Sequence, residues 1–70
     1  MNELVFEVTQ EGDGGYCAEC LTESIVTEAN SWNELRDNVR EVVRGYFFDQ
    51  PEKLTVPIRL HLVRDEVLAA

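Results

Sequence analysis

The first half of this 70-residue chain contains no lysine or arginine. Up to Leu35 its charged side chains are the acids Glu3, Glu7, Glu11, Asp13, Glu19, Glu23, Glu28 and Glu34. All six bases (Arg36, Arg40, Arg44, Lys53, Arg59 and Arg64) follow, and there they balance six acids. The net charge of −8 therefore comes entirely from the N-terminal half. Direct nucleic-acid binding is not expected of such a chain, because affinity for phosphate is dominated by basic contacts. A basic partner, including one that itself binds RNA, fits better. Histidine is equally scarce. His61 stands alone, and with Cys17 and Cys20 it falls short of the four ligands of a structural zinc site. No cofactor or metal is expected. The sequence has no Ser/His/Asp set, no phosphate-binding glycine loop and no GxGxxG. No apolar run approaches 18 residues, and Met1-Asn2-Glu3 carries no base. These absences predict a chain that is neither exported by a signal peptide nor membrane-spanning, with the cytoplasm as its place. Without repeats, low-complexity stretches or linkers, residues 1–70 read as one domain.

What is present suits a small globular protein: 44% hydrophobic and 29% charged residues. A domain of this length buries only about 60% of the surface its unfolded chain exposes, so its core is marginal without a staple or a partner. The stretch that organises it is Asn30 to Phe47, the one helix. Ser31-Trp32-Asn33-Glu34 is a capping box, in which Ser31 accepts from the Glu34 amide and the Glu34 carboxylate accepts from the Ser31 amide. Trp32, Leu35, Val39, Val42, Val43 and Tyr46 share one face at helical spacing. Asn33, Arg36, Asp37, Arg40, Glu41 and Arg44 share the other. Gly45 weakens the last turn, and Asp49-Gln50-Pro51 stops the helix.

Strands surround that helix. Leu4 to Thr9 alternates, with Leu4, Phe6 and Val8 opposite Glu3, Val5 and Glu7. Gln10 to Gly15 is turn chemistry, so the next strand returns antiparallel. In it Tyr16, Ala18 and Cys20 lie opposite Cys17 and Glu19. Leu21-Thr22-Glu23-Ser24 turns the chain into a third strand, Ile25 to Ala29. After the helix, Asp49 to Thr55 reads as a polar loop. Pro57 opens a last strand with Ile58, Leu60 and Leu62 on one side and Arg59, His61 and Val63 on the other. Asp65 to Ala70 extends that strand or forms a loose tail. The order β-β-β-α-β specifies an α+β fold, a mostly antiparallel four-stranded sheet with one helix on one face. The helix is expected over Leu4, Phe6, Val8, Tyr16, Ala18, Ile58, Leu60 and Leu62. On the bare face Val5, Cys17, Val26 and Val63 form an apolar patch among Glu3, Glu7, Glu19, Glu28 and Arg59, and a homo-oligomer is expected through that face or through an edge strand.

Phe6-Glu7-Val8 followed by Asp13-Gly14-Gly15-Tyr16-Cys17-Ala18-Glu19-Cys20 resembles the opening hairpin of the HicB-like antitoxin family. Thr27 to Leu35 resembles that family's third strand and helix cap, and Asn38-Val39-Arg40-Glu41 its mid-helix segment. The likeness runs from Leu4 to about Phe47. It implies a truncated ribonuclease-H-like fold with the last strand parallel to the first at the sheet edge. It also implies a cytoplasmic toxin–antitoxin protein, whose family members commonly block a small basic RNA-cleaving toxin. The sequence departs from the pattern at Leu21-Thr22-Glu23-Ser24, where a turn with proline and glycine is usual, and at Ala29-Asn30, where a glycine commonly precedes the cap. Ending at Ala70, it leaves no room for the C-terminal DNA-binding segment many members carry, so DNA-linked autoregulation is not expected.

The fold also invites a metal-dependent nuclease, with Glu3 or Glu7, Glu34 and Asp65 as candidate ligands. Glu3 and Glu7 project away from the helix and Glu34 caps it, so no three carboxylates converge. Cys17-Ala18-Glu19-Cys20 has redox-pair spacing. On a strand, however, residues three apart face opposite ways, so the two read as buried reduced thiols. Arg36, Arg40 and Arg44 form a basic row, paired locally as Asp37–Arg40 and Glu41–Arg44. His61 is a surface or interface residue, and Tyr16 belongs to the core. The expected function is thus non-enzymatic: an oligomer that masks a basic toxin with Glu3, Glu7, Glu11, Asp13, Glu19 and Glu28. The alternative is a stand-alone oligomeric interaction module with no toxin partner.

Overall fold

The glycine-rich turn does what its composition demands. In the computed structural model, which describes residues 3–70, Gly14 takes φ +92°. Its N–H donates to the Glu11 carbonyl at 3.0 Å, and the Glu11 N–H donates to the Gly15 carbonyl at 2.7 Å. The hairpin so closed joins β1 (Leu4–Gln10) to β2 (Tyr16–Cys20), with Val8 opposite Ala18 and Phe6 opposite Cys20. A second turn leads to β3 (Val26–Ala29), antiparallel to β2. After the helix α1 (Trp32–Tyr46) and a 3-10 turn (Pro51–Thr55), β4 (Ile58–Val63) lies parallel to β1. The sheet order is β3-β2-β1-β4, an α+β fold with β4 at the edge. Pro51–Thr55 is therefore a 3-10 turn where a plain loop was expected; Pro51 begins it, its fixed φ suiting the first position. β3 is one residue shorter than expected, although the Ile25 carbonyl still accepts from Cys20 N–H at 2.9 Å. Asp65 to Ala70 adds no strand residue.

The helix begins two residues later than its polar lead-in suggests, because Ser31 is extended (φ −141°, ψ 162°) and serves as N-cap. Ser31 Oγ accepts from the Glu34 N–H at 3.1 Å. Only this half of the capping box forms; among the described residues the Glu34 carboxylate accepts nothing from the Ser31 amide. Gly45 does not fray the end, since α1 continues to Tyr46 and the Phe47 N–H still reaches the Val43 carbonyl at 3.0 Å.

The core sits between α1 and one sheet face. Phe6, Val8, Ala18 and Leu35 are fully buried, with Leu4, Cys20, Ile25, Ala29, Val39, Val43 and Phe47 around them. Tyr16 stands edge-on to Trp32, with centroids 5.5 Å apart, pinning the start of α1 to β2. One residue of the expected apolar stripe lies outside the core. Tyr46 is exposed, and Phe47 is buried in its stead. The row Leu35-Val39-Val43 advances by four, and its next member is Phe47. Leu62, expected in the core, is half exposed, while Ile58 and Leu60 are only partly covered.

Candidate functional site

The face of the sheet away from α1 presents the alternate residues of all four strands, and the pairing registers arrange them in rows. One row reads Val26, Glu19, Glu7, His61 from β3 to β4; the next reads Glu28, Cys17, Thr9, Val63. Glu7 and Glu19 are thus directly opposite, a pairing of like charges that costs stability. Among the described residues neither has an ion-pair partner. The nearest arginine on this face is already engaged. Arg59 Nε and Nη2 donate to Glu3 Oε2 and Oε1, both at 2.8 Å. This two-pronged bond holds the Glu3 carboxyl below its ordinary pKa and raises that of Arg59. Glu3 therefore has its counter-charge within the fold, unlike Glu7 and Glu19.

Glu11, Asp13 and Glu28 converge elsewhere. With Glu34 they line a concavity of about 280 Å³ at the hairpin end, where Gly15, Tyr16 and Asn30 complete the wall. The Asp13 Oδ1 accepts from the Gly15 N–H at 3.0 Å, which fixes the lip. Gly15 itself is buried, and a Cβ there would meet the Ala29 carbonyl oxygen at 3.1 Å. Glu34 joins this group through the fold alone. Its place at the first turn of α1 opposite the hairpin offered no local signal.

Cys17 sits between the two acidic groups. Burial pushes its thiol pKa up, and the charges of Glu11, Glu28 and Glu19 push it further. It is only half-buried, unlike Cys20, which is buried on the helix side. The sulfurs accordingly lie on opposite faces and cannot form one redox or metal pair. Val5 stands in a separate row from Cys17 and Val63, with Glu7 and Glu19 between them. Val26 is exposed at the β3 edge. Of the basic row, Arg40 reaches Asp37 at 3.5 Å, but the expected Glu41–Arg44 pair does not form among the described residues. No group of three or more His, Cys, Asp or Glu side chains among the described residues is placed to hold a metal ion. No helix of the described residues is long and apolar enough to cross a membrane.

The geometry defines a one-helix α+β sheet domain with an open, acidic second face. A protein of Thermotoga maritima described as a UPF0150 protein is similar to it, 28% identical over 67 residues covering 96% of this chain and 91% of that one. The likeness spans the whole domain and not one segment. No family model matches the sequence, and no solved structure matches it.

Proposed function

We propose that this chain is a non-enzymatic, HicB-like antitoxin-type protein that masks a small basic RNA-cleaving toxin with its helix-free acidic face. It works in the cytoplasm, as a homo-oligomer, and makes no direct contact with nucleic acid. The observation that carries the reading is the Glu7–Glu19 pair. Two carboxylates held opposite each other, without a counter-ion, weaken the fold; a cation from a partner turns that cost into binding energy. Glu11, Asp13, Glu28 and Glu34 extend the same field into the concavity of about 280 Å³ at the hairpin end, and Glu28 joins the two groups. A toxin that grips RNA must present a basic surface, and covering that surface is how an acidic face blocks it.

The test is affinity capture of the tagged protein from its native host at low and moderate salt, with mass spectrometry of what is retained. The expected result is a small basic protein held at low salt and weakened as salt rises. Return of the bait alone, in a defined oligomer, overturns the toxin-masking reading and leaves the oligomeric interaction module.

A further inference from the structure

α1 packs toward the β2–β3 side of the sheet and leaves β4 only partly covered on the same face. A groove runs along the gap. One part, about 370 Å³, includes Arg36, Arg40, Ile58 and Leu60; the other, about 250 Å³, includes Arg40, Arg44, Leu54 and Ile58. They share Arg40 and Ile58, so the groove is continuous, with an aliphatic floor and three arginines along its helical rim. Arg36 shares its part of the groove with Leu60, and Arg44 shares the other part with Leu54 and Ile58, so α1 and β4 run in opposite directions.

The strand beside this groove has a free edge. The Leu4 N–H donates to the Pro57 carbonyl at 2.9 Å, and Leu4 pairs with Ile58. The alternation of a parallel ladder then turns the backbone groups of Ile58, Leu60 and Leu62 outward. Among the described residues the same three thus offer unpaired N–H and C=O groups at the edge and aliphatic side chains to the groove. The opposite sheet edge is less open. β3 has four residues, and Asn38 Nδ2 already donates to its Glu28 carbonyl at 3.1 Å.

The segment after β4 matches the groove in charge and polarity. Asp65 and Glu66 are followed by Val67 and Leu68, which are 97% and 78% exposed. Glu66 has only a 3.9 Å contact with Arg64. Arg36 and Arg44 make no ion pair among the described residues. Folding this segment back onto its own groove requires a tight reversal straight after Val63. Arg64-Asp65-Glu66 lacks the glycine or asparagine that two-residue hairpin turns favour.

We propose that the free edge of β4 and the groove beside it receive a second copy of this chain. The two β4 strands pair antiparallel about a two-fold axis near Leu60, making one continuous eight-stranded sheet from the two four-stranded ones. Each C-terminal segment passes the other copy's Ile58 and lays Asp65 and Glu66 against Arg40 and Arg44, with Val67 near Leu54. The arrangement covers an edge that would otherwise invite aggregation. It goes beyond the toxin-masking reading and leaves the Glu7–Glu19 face open.

Sedimentation equilibrium tests it. Wild type is expected at about twice its 8.0 kDa mass. Leu62→Lys puts a charge on the paired edge at an already exposed position and should weaken the dimer by about tenfold or more, with unchanged circular dichroism. Arg40→Glu/Arg44→Glu and Asp65→Lys/Glu66→Lys, all at exposed residues, should each favour monomer alone and form a dimer when mixed. The proposal is overturned by a monomeric wild type, by a mixture that stays monomeric, or by a Leu62→Lys dimer of wild-type strength. Dissociation by Val5→Glu but not by Leu62→Lys also overturns it, in favour of the helix-free face.

Discussion

Glu19→Lys should make the domain more stable while making it a worse binder. Glu19 faces Glu7 across the β1–β2 ladder, where opposed Cβ atoms lie about 4.5–5.5 Å apart. Like charges at that position destabilise and opposite charges stabilise, each by about 0.2–1 kcal/mol. Reversing one charge removes the first term and adds the second, and both side chains are exposed, so a net gain of about 1 kcal/mol is expected at low salt. For a domain of this size that raises Tm by about 4–8 °C. The gain is Coulombic and should largely vanish in 1 M salt, where the screening length of about 3 Å is shorter than the separation. Thermal unfolding followed by circular dichroism in both salts measures it. Glu7→Lys should behave alike, and the double reversal, which restores a like-charge pair, should return Tm to near wild type. An unchanged or lowered Tm for Glu19→Lys at low salt refutes the opposed-pair reading, as does a gain that persists in 1 M salt.

Three further outcomes follow from the same geometry. Ser31→Ala removes the one cap bond that forms and should cost about 1 kcal/mol in urea unfolding, whereas Glu34→Ala should leave the cap intact. A larger loss at Glu34 would mean that the reciprocal half of the box operates in solution. Gly14→Ala forces a side chain into a left-handed backbone and should destabilise by about 1–2 kcal/mol; Gly12→Ala, with open space and no such φ, should not. The raised Cys17 pKa means that the native state holds the thiol proton more tightly than the unfolded chain does. The stability this confers is complete below the ordinary cysteine pKa and is lost as pH rises through the raised folded value. Alkylation of Cys17 should therefore lag behind that of an unfolded cysteine at mildly alkaline pH, and Glu19→Lys should speed it.

The hairpin, the helix and its N-cap were legible because their signals are local: Asp13-Gly14-Gly15, alternation in Leu4–Thr9, and Ser31 three residues before Glu34. The parallel placement of β4 was not in its residues, which carry only alternation; it came with the family resemblance. Phe47 was legible in hindsight, as the fourth member of a strict i+4 row, but Tyr46 competed for the same stripe. The site was harder to read. Glu3 and Arg59 are 56 positions apart, so their bond, which withdraws one acid from the field, left no local trace. Glu34 occupies the capping position its sequence indicates and also lies at the rim of a concavity with Glu11, Asp13 and Glu28. The half-exposure of Leu62 follows from where α1 lies over the sheet, which strand periodicity does not encode.

Toxin masking requires that the Glu7–Glu19 face is what a basic partner grips. The most direct measurement is the affinity capture repeated with Glu7→Lys/Glu19→Lys beside the wild type, at matched salt and with circular dichroism confirming the same fold. The prediction is that wild type retains a small basic protein at low salt and that the double reversal releases it. Retention of the same protein by the reversed variant would contradict the account.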